Sequence, residues 1–274
     1  MLKCGITGAN GVLGKRLREL LPYKFYPFKN NIENFYQVSK WVDSKRFDLI
    51  LHLAAVVPTN EVNNNFKKAK SINVNGTKNI IKAVLNTKYP PKWFFYASTS
   101  HVYPAILKNK KLTEKTNINP SSKYGITKRG GEKVIESNLK NKNIVFCIGR
   151  IFSFTDKRQK SPFVVPSLIS KIKRKSKKKI ILNNLNHYRD FISTKDIASA
   201  IKILFNLKKK GIYNIGSSFK INLKVIAKII AKKYNKKVSF SKNNKPTYII
   251  SNNNKLKNLG WKPRPFKKNL SYFY

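Results

Sequence analysis

The segment Leu2-Lys3-Cys4-Gly5-Ile6-Thr7-Gly8-Ala9-Asn10-Gly11-Val12-Leu13-Gly14 decides how the rest of the chain is read. It opens as an apolar, strand-like run over Leu2–Thr7. Glycines follow at positions 8, 11 and 14, and Leu13–Leu21 then takes up helical spacing. Glycines placed between a strand and a helix permit a tight turn and close approach of the backbone to a pyrophosphate. The helix behind them offers free N–H groups and the positive end of its dipole. Gly8, Asn10, Gly11, Val12, Leu13 and Gly14 therefore form the candidate phosphate loop of a dinucleotide site.

Outward from this loop, strand-like runs recur at Lys24–Phe28, Leu49–Leu53, Trp93–Ala97 and Ile144–Ile148. Helical patterns over Phe35–Ser44, Ala69–Leu85 and Tyr124–Leu139 separate them. Strands alternating with helices predict βαβ units, hence an α/β protein with a doubly wound parallel sheet of the Rossmann kind. After about Arg150 the rhythm loosens. Helices are expected near Ser167–Lys173 and Thr194–Phe205, and another over Leu223–Tyr234 with Asn222 as its N-cap; Ile180–Leu182 reads as a short strand. This tail predicts a smaller second lobe interleaved with the first. The dinucleotide-binding part is placed at 1–155 with return segments near 180–205, and the lobe at 156–274.

The chain carries 58 Lys and Arg against 11 Asp and Glu, a formal charge of +47 over 274 residues. Only nine of the basic residues are Arg, and the lysines run along the whole chain, densest over Lys171–Lys179. A base-reading surface favours Arg, whose planar fork pairs with phosphates and guanine edges. The excess is read as compositional drift, and no specific nucleic-acid partner is expected. No apolar run reaches the roughly 18 residues of a bilayer span. The strand at the very start leaves no room for a secretory signal, so a cytoplasmic protein without a membrane partner is expected. Cys4 and Cys147 sit in apolar, strand-like stretches without partners at ligand spacing, which predicts plain packing and no metal site.

Chemistry enters downstream. Trp93-Phe94-Phe95-Tyr96-Ala97 leads into Ser98-Thr99-Ser100-His101-Val102-Tyr103, and Tyr124-Gly125-Ile126-Thr127-Lys128 opens a helix. Tyr124 and Lys128 are one turn apart on the same helical face. An adjacent ammonium favours the phenolate, and such a tyrosine exchanges a proton with a hydroxyl while hydride passes to or from a nicotinamide. Thr99, at a strand end, would polarise the same oxygen. Tyr26-Pro27-Phe28-Lys29-Asn30 ends the second strand with Lys29, where NAD sites commonly place an acid. NAD is expected, with Lys29 admitting the 2′-phosphate of NADP.

Taken together these segments resemble the extended short-chain dehydrogenases, the NAD-dependent epimerase/dehydratase family. Asp48-Leu49-Ile50-Leu51-His52-Leu53-Ala54-Ala55 is similar to its fourth-strand motif, and Asn73-Val74-Asn75-Gly76-Thr77 to the helix signature after it. Gly149-Arg150-Ile151-Phe152 resembles the segment beneath the nicotinamide, and Tyr188-Arg189-Asp190-Phe191-Ile192 the motif whose arginine contacts a nucleotide diphosphate. Lys195-Asp196-Ile197-Ala198, Tyr213-Asn214-Ile215-Gly216 and Leu259-Gly260-Trp261-Lys262-Pro263 match later landmarks. The resemblance implies Thr99, Tyr124 and Lys128 as catalytic residues. It implies Leu53, Ala54, Ala55, Asn73 and Ile151 at the cofactor, beside the loop, Lys29, Tyr124 and Lys128. It also implies Thr99, Ser100, His101 and Arg189 at a nucleotide-diphosphate sugar, a substrate-binding role for the second lobe, and a homodimer.

Dehydratases of the family carry an acidic pair after the active hydroxyl, where Ser100 and His101 stand here. An epimerase, oxidising a sugar hydroxyl transiently and returning hydride to the other face, needs no such pair. It is the first expectation. An NADPH-dependent reductase of a 4-keto-6-deoxy nucleotide sugar is the second, and a non-catalytic nucleotide- or RNA-binding protein on the same fold is the alternative of another class.

Overall fold

The computed structural model of the chain describes residues 1–57, 59–120, 122–174, 179–241 and 245–264. From the N-terminus run β1 (Lys3–Thr7), α1 (Val12–Leu20), β2 (Lys24–Pro27), α2 (Phe35–Asp43), β3 (Leu49–His52), α3 (Thr59–Asn64) and α4 (Phe66–Lys70). A π-helical turn over Ser71–Asn75 leads into α5 (Gly76–Asn86), β4 (Trp93–Thr99), a 3-10 turn (Ser100–Val102), α6 (Lys123–Leu139) and β5 (Val145–Ile151). Next are β6 (Ser153–Thr155), α7 (Val164–Arg174), β7 (Lys179–Leu182), β8 (His187–Arg189), β9 (Phe191–Ser193), α8 (Thr194–Asn206) and β10 (Gly211–Ile215). The chain closes with β11 (Ile221–Asn222), α9 (Leu223–Lys233), β12 (Lys237–Phe240), β13 (Thr247–Ile249) and α10 (Asn254–Lys257).

Six strands form one parallel sheet in the order β10-β5-β4-β3-β1-β2. This is the expected doubly wound Rossmann sheet, and its connections reverse direction between β1 and β3. The carboxyl ends of those two strands open the crevice where such sheets take ligands. Central strands read as continuous apolar runs because both faces are covered: β3 is buried at all four positions. On one face Cys4, Ile6, Leu17, Leu51, Phe95, Ile197 and Ile201 pack between the sheet, α1 and α8. On the other, Val38, Ile50, Ile80, Phe94, Ile135 and Ile148 pack under α2, α5 and α6. Each fully buried Leu, Ile or Phe contributes about 1.5–3 kcal/mol, so these two layers hold the sheet flat against its helices.

A third apolar cluster joins α7 and α9 through Leu168, Ile172, Ile226 and Ile230, with Ile180 of β7 beneath them. The short strand expected near Ile180 pairs with β12, outside the main sheet. The chain returns to that sheet through α8 and β10. Asn222 caps α9 as expected, its side chain accepting from Lys224 N at 2.8 Å. The helix expected over Ala69–Leu85 is broken by the π turn, and α3 lies in a stretch left unassigned by periodicity. Of the Lys171–Lys179 run, α7 takes the first part; residues 175–178 lie outside the described residues. Among the described residues no helix is long and apolar enough to cross a membrane. Both thiols are free and buried, which pushes them up toward the neutral form.

Candidate active site

The loop between β1 and α1 has the geometry its glycines predict. Gly8 takes φ +68°, and a Cβ there would lie 2.7 Å from Ala54 N. A Cβ on Gly14 would overlap the Gly8 carbonyl oxygen. Any side chain at either position would push the loop away from β3 or from its own helix. Gly8, Ala9, Asn10 and Gly11 line a cleft of about 520 Å³ together with Arg18, Pro27, Phe28 and Lys29. Lys29 thus reaches the cleft, whereas Val12, Leu13 and Gly14 are not among its lining residues. Arg18 was not anticipated. It stands two helical turns beyond Gly11, and that spacing on α1 is the signal that could have found it. No carboxylate is among the lining residues.

At the carboxyl end of β4, Thr99 caps the 3-10 turn, its hydroxyl accepting from His101 N at 3.3 Å. Ser122 caps α6 by accepting from Gly125 N, which sets Tyr124 in the first turn and Lys128 one turn on. Both are buried, at 9% and 2% exposure. Burial pushes the Tyr124 phenol up to about 12, with a nearby Thr99 hydroxyl pulling the other way. Burial pulls Lys128 down to about 7 against the attraction of Glu132. The expected lowering of the phenol by the ammonium is not seen: desolvation sets the direction, and Thr99 supplies the opposing hydrogen bond. The Lys128 ammonium lies 4.0 Å above the Tyr96 ring and has no hydrogen-bond partner among the described residues. The Tyr96 hydroxyl donates to Lys128 O at 3.4 Å, occupying the space a Cβ on Gly131 would need.

A buried chain of hydrogen bonds ties the cleft wall to this helix. Thr7 Oγ1 accepts from Leu53 N at 3.2 Å and Ala54 N at 3.1 Å, so its own proton goes to His52 Nδ1 at 2.7 Å. That fixes the His52 tautomer: Nε2–H donates to Thr77 Oγ1 at 2.9 Å, and Thr77 donates on to Asn73 O at 2.8 Å. Burial depresses His52 to about 3, keeping it neutral. The Asn73 amide is fully committed. Its oxygen accepts from Val56 N at 2.7 Å, and its nitrogen donates to Val56 O at 3.1 Å and Thr127 Oγ1 at 2.9 Å. Thr127 closes the chain on Tyr124 O at 2.8 Å. Leu53, Ala54 and Ala55 are half-buried on the wall so held, and Ile151 is buried at the end of β5.

Beneath the site, Arg150 donates from Nε to Glu132 Oε1 at 3.0 Å and from NH2 to Oε2 at 2.9 Å, with both side chains buried. Ser98 donates to the same carboxylate at 2.5 Å. Ser100 is buried; His101 is exposed, its ring edge-on to Tyr124 with centroids 5.7 Å apart. Arg189 spends one guanidinium nitrogen on Tyr188 O at 2.8 Å, Thr247 O at 3.1 Å and Thr247 Oγ1 at 3.2 Å. Its Nε and NH2 have no partner among the described residues, and burial pulls the group down to about 10, still a cation at neutral pH. Desolvation by the protein around its ring, and secondarily the Arg189 cation, lower His101 below its ordinary value although the residue keeps an exposed edge. His187 is a satisfied strand residue, with Nδ1 2.9 Å from Thr247 Oγ1. Among the described residues no three His, Cys, Asp or Glu side chains gather as a metal site.

The NAD dependent epimerase/dehydratase family matches residues 4–216. The chain is 30% identical over 233 residues to the dTDP-D-glucose 4,6-dehydratase of Dictyostelium discoideum, covering 80% of this chain and 52% of that one. It therefore spans about half the length of that relative. It is 29% identical over 221 residues to the GDP-6-deoxy-D-talose 4-dehydrogenase of Aggregatibacter actinomycetemcomitans, covering 78% and 72% of the two chains. Among solved structures it is similar to RMD from Pseudomonas aeruginosa complexed with NADPH, with a TM-score of 0.89, 19% identity and coverage of 100% and 97%. The UDP-glucose 4-epimerase of Thermotoga maritima with UDP-glucose gives 0.87 at 19% identity, covering 99% and 97%.

Proposed function

This chain belongs to the NAD-dependent epimerase/dehydratase family, and from that premise we propose that it works on a secondary carbon of a nucleotide-diphosphate sugar. The observation that carries the reading is the Thr99 hydroxyl beside the buried Tyr124, with Lys128 one turn further along α6, at the carboxyl end of β4. The glycine loop fits a dinucleotide, because the space a Cβ would fill at Gly8 and Gly14 is closed by backbone. When bound, that group supplies hydride exchange at the reacting carbon. Residues 1–155, with their return segments, hold it, and the lobe over 156–274 holds the sugar nucleotide. Gly8, Asn10, Gly11 and the wall at Leu53–Ala55 would bind it, with Asn73 acting through Val56.

In this reading Tyr124 takes the proton from a sugar hydroxyl and gives it back, Thr99 holds that oxygen, and Lys128 supplies positive charge beside them. Arg189 receives the diphosphate: a half-buried guanidinium with two nitrogens uncommitted among the described residues and no carboxylate partner there is matched by a phosphate oxygen pair. Epimerisation comes first, since Ser100 and His101 offer no acidic pair for dehydration. One observation favours reduction with NADPH instead. Arg18 and Lys29 flank the far end of the cofactor cleft without a carboxylate among its lining residues, which suits a 2′-phosphate. A homodimer belongs to the same reading and is checked by sedimentation.

The test is to denature the purified protein and identify any released dinucleotide by mass spectrometry. Near-stoichiometric NAD supports a cofactor recycled in place, hence epimerisation. An empty protein that takes up NADPH moves the reading to reduction, and a chain that takes up neither overturns both.

A further inference from the structure

A second cleft shares no lining residue with the cofactor cleft and includes none of Thr99, Tyr124 and Lys128 in its lining. It measures about 560 Å³ and lies between the segment 114–120, α6 and Ile212 of β10. That is room for a small molecule. Lysine is so common in this chain that a lysine beside a cleft decides little. Arginine is not: there are nine among 58 basic residues, and Arg129 and Arg150 both line this cleft. Arg150 is already spent on Glu132, Tyr103 Oη and Glu114 O. Arg129 is not. Its Nη1 donates to Glu132 at 2.8 Å and to Glu136 at 2.7 Å, while Nε and Nη2 have no partner among the described residues. Lys115 and Lys133 are exposed in the same lining, without a counter-charge among the described residues. Two carboxylates stand with them. Glu136 gives one oxygen to Arg129 and Glu114 gives Oε1 to Asn214 N at 2.8 Å; the other oxygen of each has no partner among the described residues.

We infer that this cleft is a second binding site, separate from the catalytic one, and that it takes a sugar phosphate. Arg129, Lys133 and Glu136 fall at i, i+4 and i+7 on α6, so one helical face presents cation, cation and carboxylate in a row. The open edge of Arg129 carries N–H groups in the fork that matches two oxygens of a phosphomonoester, and Lys115 and Lys133 supply charge for the dianion. A bare phosphate does not account for the carboxylates, which repel it. Hydroxyl groups do: each donates to a carboxylate oxygen, and the open oxygens of Glu114 and Glu136 accept them. Ile118 and Ile212 leave an apolar strip for the C–H face of a pyranose ring. Cations, open acceptors and an apolar strip in one lining therefore match an anionic head on a polyhydroxylated ring.

The experiment is isothermal titration of the full chain with α-D-glucose 1-phosphate, α-D-mannose 1-phosphate and D-glucose 6-phosphate, each compared with inorganic phosphate. Salt at about 0.15 M screens the diffuse charge of the surface. At least one sugar phosphate should bind, a single molecule per chain, about tenfold or more tighter than inorganic phosphate. Replacing Lys115→Ala and Lys133→Ala together should weaken that binding about tenfold or more. Both lysines are exposed, so the urea midpoint and dinucleotide uptake of the double variant should match the wild type. Arg189→Ala should leave the sugar-phosphate affinity within about twofold, since the diphosphate is assigned elsewhere. Inorganic phosphate binding as tightly as every sugar phosphate overturns the ligand class. An unchanged double variant, or loss of binding in Arg189→Ala, overturns the second site. Absence of binding by all three sugar phosphates overturns the inference outright. None of these outcomes bears on the proposed function, which the released dinucleotide decides.

Discussion

Replacing Lys128 with Met should make the protein more stable and inactive, and the structure sets the size of the gain. The ammonium is 2% exposed and is held at about 7, against 10.5 for an ordinary lysine. Between those values the unfolded chain binds a proton that the folded chain does not, so wild-type stability rises as pH climbs from about 7 to about 10.5. Above that window the penalty vanishes; below it the penalty is fully present, at most about 5 kcal/mol. At pH 7 half of the folded molecules are already discharged, leaving about 4 kcal/mol, and at pH 10 about 1 kcal/mol remains. Methionine fills similar volume and keeps a favourable sulfur contact with the Tyr96 ring, so the cavity cost is small. Urea unfolding followed by tryptophan fluorescence at pH 7 and pH 10 measures both differences. Lys128→Met should therefore lead the wild type by about 4 kcal/mol at the lower pH and by about 1 kcal/mol at the higher. A variant no more stable at pH 7, or an advantage independent of pH, would refute the claim that this site holds its lysine at the expense of the fold.

Tyr124→Phe should lower turnover by about 10²–10⁴-fold with dinucleotide affinity changed little, because the phenol hydroxyl serves as acid and base while the ring keeps its packing; steady-state rates and a binding titration check the two halves. Glu132→Gln leaves Arg150 buried without its counter-charge and should destabilise the fold by about 3–5 kcal/mol. A loss under about 1 kcal/mol in denaturant would show that Tyr103 Oη and the Glu114 carbonyl, which also accept from Arg150, suffice to hold the guanidinium. Arg18→Glu should weaken NADPH by about tenfold or more and leave NADH nearly unaffected, read by nucleotide fluorescence titration. Equal weakening of both would place Arg18 away from the 2′ position.

The sheet was legible because strands covered on both faces read as unbroken apolar runs. β1 to β5 all begin within one residue of their expected positions. β10 was not legible as a strand. Its sequence, Gly-Ile-Tyr-Asn-Ile, puts a polar side chain at a buried position, and only tertiary partners make that tolerable. Asn214 accepts from Tyr103 Oη at 2.7 Å and donates to Leu112 O at 2.8 Å, both about a hundred residues away. Of the strands outside the main sheet, β6, β8, β9, β11 and β13 are two or three residues long, too short for any period to show. The π turn is invisible for a related reason. Ser71–Asn75 has the composition of an ordinary helix, and inside the turn the Asn73 side chain bonds Val56, 17 positions away.

At the site, glycine spacing and the Tyr-x-x-x-Lys pair could be read because each is a local pattern on one element. The wiring between them could not. Thr7, His52, Thr77 and Thr127 are small or structural residues in sequence, and their roles come from contacts spanning 25 to 54 positions together with bonds inside one helix. Electrostatics was misjudged for the same reason. Spacing says that Lys128 is near Tyr124, but burial depends on Tyr96, α6 and the sheet closing around both. The closure pushes the phenol up and the ammonium down, so at neutral pH the tyrosine is neutral and the lysine about half charged. Negative charge arriving in the cleft restores the lysine's proton, since an anion nearby favours the cation. In the proposed reading a phosphate-bearing ligand beside Lys128 would raise its charged fraction, which couples the readiness of the lysine to ligand binding.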